Sequence, residues 1–488
     1  MPVLDLADIQ GIIVRGYGSL KGARFVVLGI WNPPATKRWL GELDLRSGES
    51  RPTVSDTCVN IAFTHAGLAK LGLYADALEA FSPEFREGMT ATTHRQRILG
   101  DLDDSTPDGW RWGGPRTAGV DILLMLYAAT DEQVETMYGM HASRFPGAGL
   151  DVIEKLPTIY LEGRKEHFGF RDGIAQPFIE GFEEPGRPGN TVAAGEFILG
   201  YANAYGQSTP RPMVPVAQDP EGVLPPASNE SGRRDVGRNG SYLVFRQLSQ
   251  DVVTFWRFLH DKTRTADGAP DPAARDTLAA KMVGRWPSGA PLVKAPHADD
   301  PTMADDDDFL YYGSEDPHGF KCPVGSHVRR SNPRDALDPN PGSEASIEVG
   351  KRHRIIRRGR AYGLPVAESM ASGDILAAGD DSQERGLHFI CFNAHIGRQF
   401  EFIQHTWVNN PKFDGLYTDD DPLIGDRGAG DKDEAGTFTV QATPVRTRVT
   451  GMPRFVHVRG GAYFFMPGIR AVRFLAGLPS AIDDREIR

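Results

Sequence analysis

The chain has 488 residues, 40% hydrophobic and 24% charged, an ordinary globular composition long enough for two domains or one duplicated unit around a sizeable core. Its 54 basic against 65 acidic residues give a net charge of -11, which argues against general nucleic-acid binding, since that needs a basic face. The three cysteines, Cys58, Cys322 and Cys391, form no CxxC pair, and neither a leader pattern nor a run of about 18 apolar residues occurs. These features predict a cytoplasmic protein without a disulfide framework, a thiolate metal site or a membrane span.

Taken in order, residues 24–30 (RFVVLGI) predict a buried strand, and 35–40 a helical turn that Gly41 ends. A second strand is expected over 59–63, then a short helix over 65–72 with glycine after its last apolar residue. Residues 121–127 (DILLMLY) predict a third strand, and Thr130 with Gln133 has capping-box spacing at the next helix start. In the second half, 240–248 (GSYLVFRQL) predicts a strand leading into a helix from about Asp251 to His260. Residues 387–392 (LHFICF) predict another strand, followed by a helix through 400–407. The segments match in order, 24–30 with 241–247 and 121–127 with 387–393. An α+β fold of two similar halves follows, each an antiparallel sheet with helices on one face. Segments 183–240, 264–275 and 411–436 read as polar linkers or loops. The acidic run 305–308 lacks EF-hand spacing and reads as a solvated loop, not a calcium site.

Three segments carry residues with chemical potential. In 321–334 (KCPVGSHVRRSNPR), Pro323, Gly325 and Pro333 would present His327 at a bend or short helical turn. A neutral imidazole can ligate haem iron, and neighbouring arginines can meet carboxylates; a surface or satisfied core histidine is the plainer account. In 166–177 (EHFGFRDGIAQP), Gly169 and Gly173 bracket Asp172 and let the backbone approach a flat ligand, while Phe168 and Phe170 supply apolar walls. A carboxylate in such a pocket can move a proton, or it can simply cap a β-turn. In 352–363 (RHRIIRRGRAYG), Ile355 and Ile356 can anchor a strand whose arginines emerge on either side, and a basic strand edge accounts for most of them.

Together these segments resemble the dye-decolorizing peroxidases, a family of haem peroxidases. GFRDGIAQP is similar to the family's GxxDG signature, CPVGSHVRRSNPR to its proximal-histidine segment and RIIRRG to its distal-arginine segment. DIQG near the start, EFILGY (196–201), VGRWPSG (283–289) and GLHFICF (386–392) also fit, so the resemblance runs through nearly the whole chain. Length and the RRG form resemble the larger subclass that includes the fungal enzymes; the compact bacterial subclass has an asparagine where this chain has Gly359.

The resemblance implies a pseudo-duplicated pair of ferredoxin-like domains, 1–185 with the distal GxxDG segment and 186–488 holding most of a haem b. It implies His327 as axial ligand to the iron, Asp172 as the proton-moving group and Arg357 as the cation that stabilises developing negative charge. Hydrogen peroxide would be the oxidant, and bulky phenols or dyes the reductants. Arg329 or His167 could hold a haem propionate, and Glu401 could accept the proximal imidazole N–H. Tyr362 could relay electrons at the surface, with Trp407 as a substitute. The alternative function is haem handling with incidental peroxidase activity, which requires neither Asp172 nor Arg357.

Overall fold

The structure, a computed structural model, describes residues 2–182, 189–228, 230–427 and 436–479. Its central strands are apolar throughout because each buries both faces. β1 (Gly22–Ile30) sends Val26, Leu28 and Ile30 into one core and Phe25 and Val27 into another on the opposite face. A strand buried on both sides needs no polar alternation, hence the unbroken runs at 24–30 and 121–127.

The first half adds β2 (Cys58–Phe63), β3 (Ile122–Ala128) and β4 (Leu150–Pro157), antiparallel neighbours in the order β4-β1-β3-β2. α1 (Pro33–Gly41) follows β1 and α2 (Asp131–Ala142) follows β3, which completes a ferredoxin-like unit. The Thr130 capping box forms, with Thr130 and Gln133 each accepting the other's backbone N–H. The second half comprises β5 (Ser241–Gln250), a split strand β6 (Ile356–Arg357) and β7 (Arg360–Tyr362), β8 (Gly386–Asn393) and β9 (Val456–Met466). With β6 and β7 counted as one strand, their order repeats that of the first half, fourth-first-third-second. The matched segments therefore occupy equivalent places: 24–30 and 241–247 are first strands, 121–127 and 387–393 third strands. β9 meets β2 at Phe465 and Phe63, so the described residues place both halves in one nine-stranded sheet.

α3 (Val252–Lys262), capped by Asp251, and α4 (Pro272–Val283) follow β5; α5 (His327–Ser331) is a single short segment. α6 (Ile469–Gly477) packs beside α1, and α1, α2 and α6 cover the same sheet face through Trp39, Val134 and Val472.

Several expectations change. β4 and β9 were not anticipated: β4 is a polar edge strand, and Gly460-Gly461 interrupts the pattern of β9. That interruption is a packing demand, since a Cβ on Gly460 would lie 2.5 Å from the Trp112 indole nitrogen. The helix expected over 400–407 is instead one α-turn, Phe400–Phe402, continued by a π-helix, Ile403–Val408. The acidic run is solvated at Asp305 and Asp308, as expected, but it is also tied down by ion pairs. Asp305 pairs with Arg164 and Arg171 but stays exposed, whereas Arg285 and Arg334 draw Asp307 inward. The boundary expected between 185 and 186 lies outside the described residues.

Candidate active site

A cleft opens between the sheet of the second half and the segments around it. Its empty space, counted out to the open mouth, is about 1490 Å³. Phe168, Phe170, Leu248, Ile355, Leu387, Phe389, Ile403, Leu423 and Ile424 make its walls apolar, while His327, Asp172 and Arg357 all line it. The π-helix contributes Ile403, Gln404 and Val408 to this lining.

His327 is the first residue of α5, after an extended Ser326, and the helix stops before Pro333. Its Nδ1 lies 2.9 Å from Oδ2 of Asp421, and among the described residues Nε2 has no hydrogen-bond partner. Asp421 Oδ1 also accepts the backbone N–H groups of Leu423 and Ile424, each at 3.0 Å. Burial opposes charge on both partners. Their mutual attraction outweighs it, holding the Asp421 carboxyl below and the imidazole above their ordinary values.

Glu401, expected beside this imidazole, is elsewhere. Arg95 reaches its two oxygens at 2.7 and 2.6 Å and the Tyr463 hydroxyl donates at 2.7 Å, so its acceptors are already taken. Asp421 takes the expected place. The sequence offered only an acidic run before Pro422, inside a segment read as a polar loop. Arg329 also departs from expectation: it is fully buried against Asp316, the carbonyls of Pro317 and Cys322 and the Tyr311 ring, and it does not line the cleft.

On the other segment, Gly169 and Gly173 have φ of +95° and +77°. A Cβ at Gly169 would stand 2.5 Å from the Met370 carbonyl, so both conformation and space require glycine there. The bend delivers Asp172, whose Oδ1 receives Arg357 Nη1 at 2.8 Å. Arg357 comes from β6, where its own N–H donates to Gln176 at 3.0 Å and neighbouring Ile356 is anchored in the core. Burial would raise the Asp172 carboxyl, but Arg357 and the Gly173 N–H keep it below the usual value, hence ionised. The pair and His327 are close enough to feel each other's charge.

His167 does not reach the cleft. It is 2% exposed, with Nε2 2.8 Å from the Tyr362 carbonyl oxygen, a core histidine. Tyr362 is likewise no surface residue: β7 pairs with β8, which turns the ring onto His388 at 4.5 Å and leaves it 7% exposed. Its hydroxyl lies 3.2 Å from Glu384, which pairs with half-exposed Arg111. Trp407 is buried beside His353 and Phe402.

The cleft suits a flat, largely apolar cofactor with acidic groups. Among the buried polar atoms without a hydrogen-bond partner are Nη2 of Arg354 and Nδ2 of Asn332, and both residues line the cleft. Unused donors such as these in an otherwise apolar slot match the carboxylates of a haem. Both residues lay in segments already singled out. Nothing in the sequence distinguished Arg354 from the other arginines around Ile355 and Ile356.

An imidazole backed by a carboxylate, sharing an apolar slot with an arginine–carboxylate pair on a duplicated ferredoxin-like fold, is an arrangement that suits the haem peroxidase class. No family model matches the chain. It is 32% identical over 494 residues to a dye-decolorizing peroxidase of Mycetinis scorodonius, spanning 96% of this chain and 87% of that protein. It is 31% identical over 516 residues to one from Mycena epipterygia, with 97% and 87% covered. The fold superposes on a decolorizing peroxidase structure from Auricularia auricula-judae with a TM-score of 0.77 at 27% identity, covering 98% of this chain and all of that one. The chain belongs to the dye-decolorizing peroxidase family.

Proposed function

We propose that His327, Asp172 and Arg357 carry a peroxidase reaction that oxidises bulky phenolic or dye-like donors in one-electron steps. The observation that carries it is the ionised Asp172–Arg357 pair in the same cleft as an imidazole held by Asp421. A haem-handling protein needs an imidazole and an apolar slot, but has no use for that pair.

The cofactor is haem b, held without covalent attachment, since the chain has no CxxCH segment and its three cysteines are buried and free. Bound haem supplies the two electrons that reduce peroxide. His327 would ligate it through Nε2, and Arg354 and Asn332 would receive its carboxylates. Asp172, ionised, takes a proton from one peroxide oxygen and returns it to the other, which departs as water. Arg357 holds one carboxylate oxygen of Asp172 and stabilises negative charge as the O–O bond polarises. The apolar walls exclude bulk water and strengthen both effects.

With haem bound, the space beside Asp172 and Arg357 would suit peroxide better than a polycyclic dye, so bulky donors deliver electrons from outside. Tyr362 is the proposed relay: it lies behind β8, whose Leu387 and Phe389 line the cleft, and its hydroxyl reaches Glu384 near the exterior. The division of labour follows the two halves, with 1–185 supplying Asp172 and 186–488 supplying His327 and Arg357. No helix among the described residues is long and apolar enough to cross a membrane.

The test is a haem titration of wild type and His327→Ala, followed by peroxide-dependent oxidation of a phenol. The variant should lose most haem affinity or its histidine-type spectrum, and with it the activity. Unchanged affinity and spectrum would remove His327 from the site.

A further inference from the structure

Glu166 lines the cleft but has no part in the chemistry described above. Its Oε2 accepts the N–H of Phe168 at 3.0 Å and the side-chain amide of Gln250, from β5, at 2.6 Å. Its Oε1 accepts the N–H of Phe170 at 3.1 Å. The backbone closes the same loop, with Glu166 N donating to Phe170 O at 2.9 Å and Gly169 N to Glu166 O at 2.9 Å. One side chain therefore ties both flanks of the Gly169 bend to a sheet strand, and the bend leads directly to Asp172.

We propose that Glu166 is a positioning residue: its carboxylate clamps the 167–171 bend to β5 and so sets where Asp172 meets Arg357. The inference rests on the catalytic reading of Asp172.

The clamp is strongest in the ionised form. Three N–H donors converge on the two oxygens, and a proton on either one takes up a lone pair, adds a hydrogen among those donors and removes the charge that strengthens all three bonds. Among the described residues no cation pairs with Glu166. Arg171, Arg285, Arg354, Arg357 and His327 share the cleft without a hydrogen bond or ion pair to it, and the charge that acts on it is Asp172 on its own segment. Burial, with a smaller push from Asp172, raises its carboxyl to about 7, against the help of its three donors. The clamp is thus made above neutral pH and loosened below it.

The experiment compares haem-loaded wild type, Glu166→Gln, Glu166→Ala and Asp172→Asn. Amide hydrogen exchange is followed over residues 167–173, and the bimolecular rate with peroxide is measured from pH 5 to 9. At pH 8 both Glu166 variants should exchange those amides at least tenfold faster and react with peroxide at least tenfold more slowly, with Gln less affected than Ala. The wild-type rate should show an inflection near pH 7 that the Glu166 variants lack. Wild-type exchange and rate in the Glu166 variants, alongside a slowed Asp172→Asn, would overturn the clamp and leave the catalytic reading standing. An Asp172→Asn rate equal to wild type would overturn that reading and with it any role for a clamp. Should the Glu166 variants fail to load haem, Gln250→Leu removes one of the three bonds from outside the segment. It should reproduce faster exchange and a smaller rate loss, and no change in either would count against the proposal.

Discussion

Nδ1 of His327 lies 2.9 Å from Oδ2 of Asp421, a carboxylate 94 residues further along the chain. Two backbone N–H groups fix the carboxylate, so it sets both the tautomer and the plane of the ring. An anionic partner there makes the imidazole a stronger electron donor to a bound metal.

Replacing Asp421 with Asn should therefore raise the reduction potential of the loaded enzyme and slow its reaction with peroxide about 10- to 100-fold, the usual scale for such partners. Glu401→Gln breaks a buried pair with Arg95 and should lower the melting temperature instead, leaving the potential unchanged. Spectroelectrochemical titration separates the two. A potential that moved with Glu401 but not with Asp421 would reverse this assignment.

Arg357→Leu and Asp172→Asn should each slow the peroxide step by roughly two to four orders of magnitude, with the larger loss at Arg357. Because the two are paired at 2.8 Å, the double variant should lose far less than the product of the single losses. Stopped-flow mixing with peroxide measures all three. Multiplying effects would mean that the residues act independently, contrary to the geometry.

Tyr362→Phe keeps the ring on His388 but removes the hydroxyl that meets Glu384. Turnover of a bulky dye should fall several-fold, while the peroxide step and turnover of a small phenol stay near wild type. Equal dye turnover in the two proteins would exclude Tyr362 as the relay.

The folded protein should lose stability in acid for an identifiable reason. Burial lowers His167 and His388 from the usual 6.5 to about 4 and about 3, so below pH 6.5 the unfolded chain takes up protons that the folded chain refuses. Stability then falls from pH 6.5 down to about 4, and further for His388. Glu166, raised from 4.5 to about 7, acts oppositely between those values, because the folded chain keeps a proton that the unfolded chain releases. Asp420, raised by burial to about 6, opposes the histidines in the same sense as Glu166, and burial lowers His141, His353 and His457 as well, so each group contributes roughly 1.4 kcal/mol per pH unit only within its own window. Between pH 6.5 and 4 the melting temperature of His388→Gln should fall less than that of wild type. A decline of the same size in that variant would assign the acid sensitivity to other groups.

From sequence alone, the apolar runs at 24–30, 121–127, 241–247 and 387–393 were legible as strands because two-sided burial leaves an unmistakable apolar signal. Their order was enough to indicate duplication, and His327, Asp172 and Arg357 stood in local motifs whose glycines and prolines marked the bends. Tertiary structure alone decided the partners. Asp421 and Glu401 are both carboxylates on the same side of the chain, and only packing shows that Arg95 and Tyr463 occupy one while the other faces His327. Tyr362 moved inside the fold for a similar reason, since β7 and β8 bury its ring. Local motifs are written in neighbouring residues and survive without the fold. A hydrogen bond across 94 positions depends on how every intervening element packs, and no short pattern encodes that.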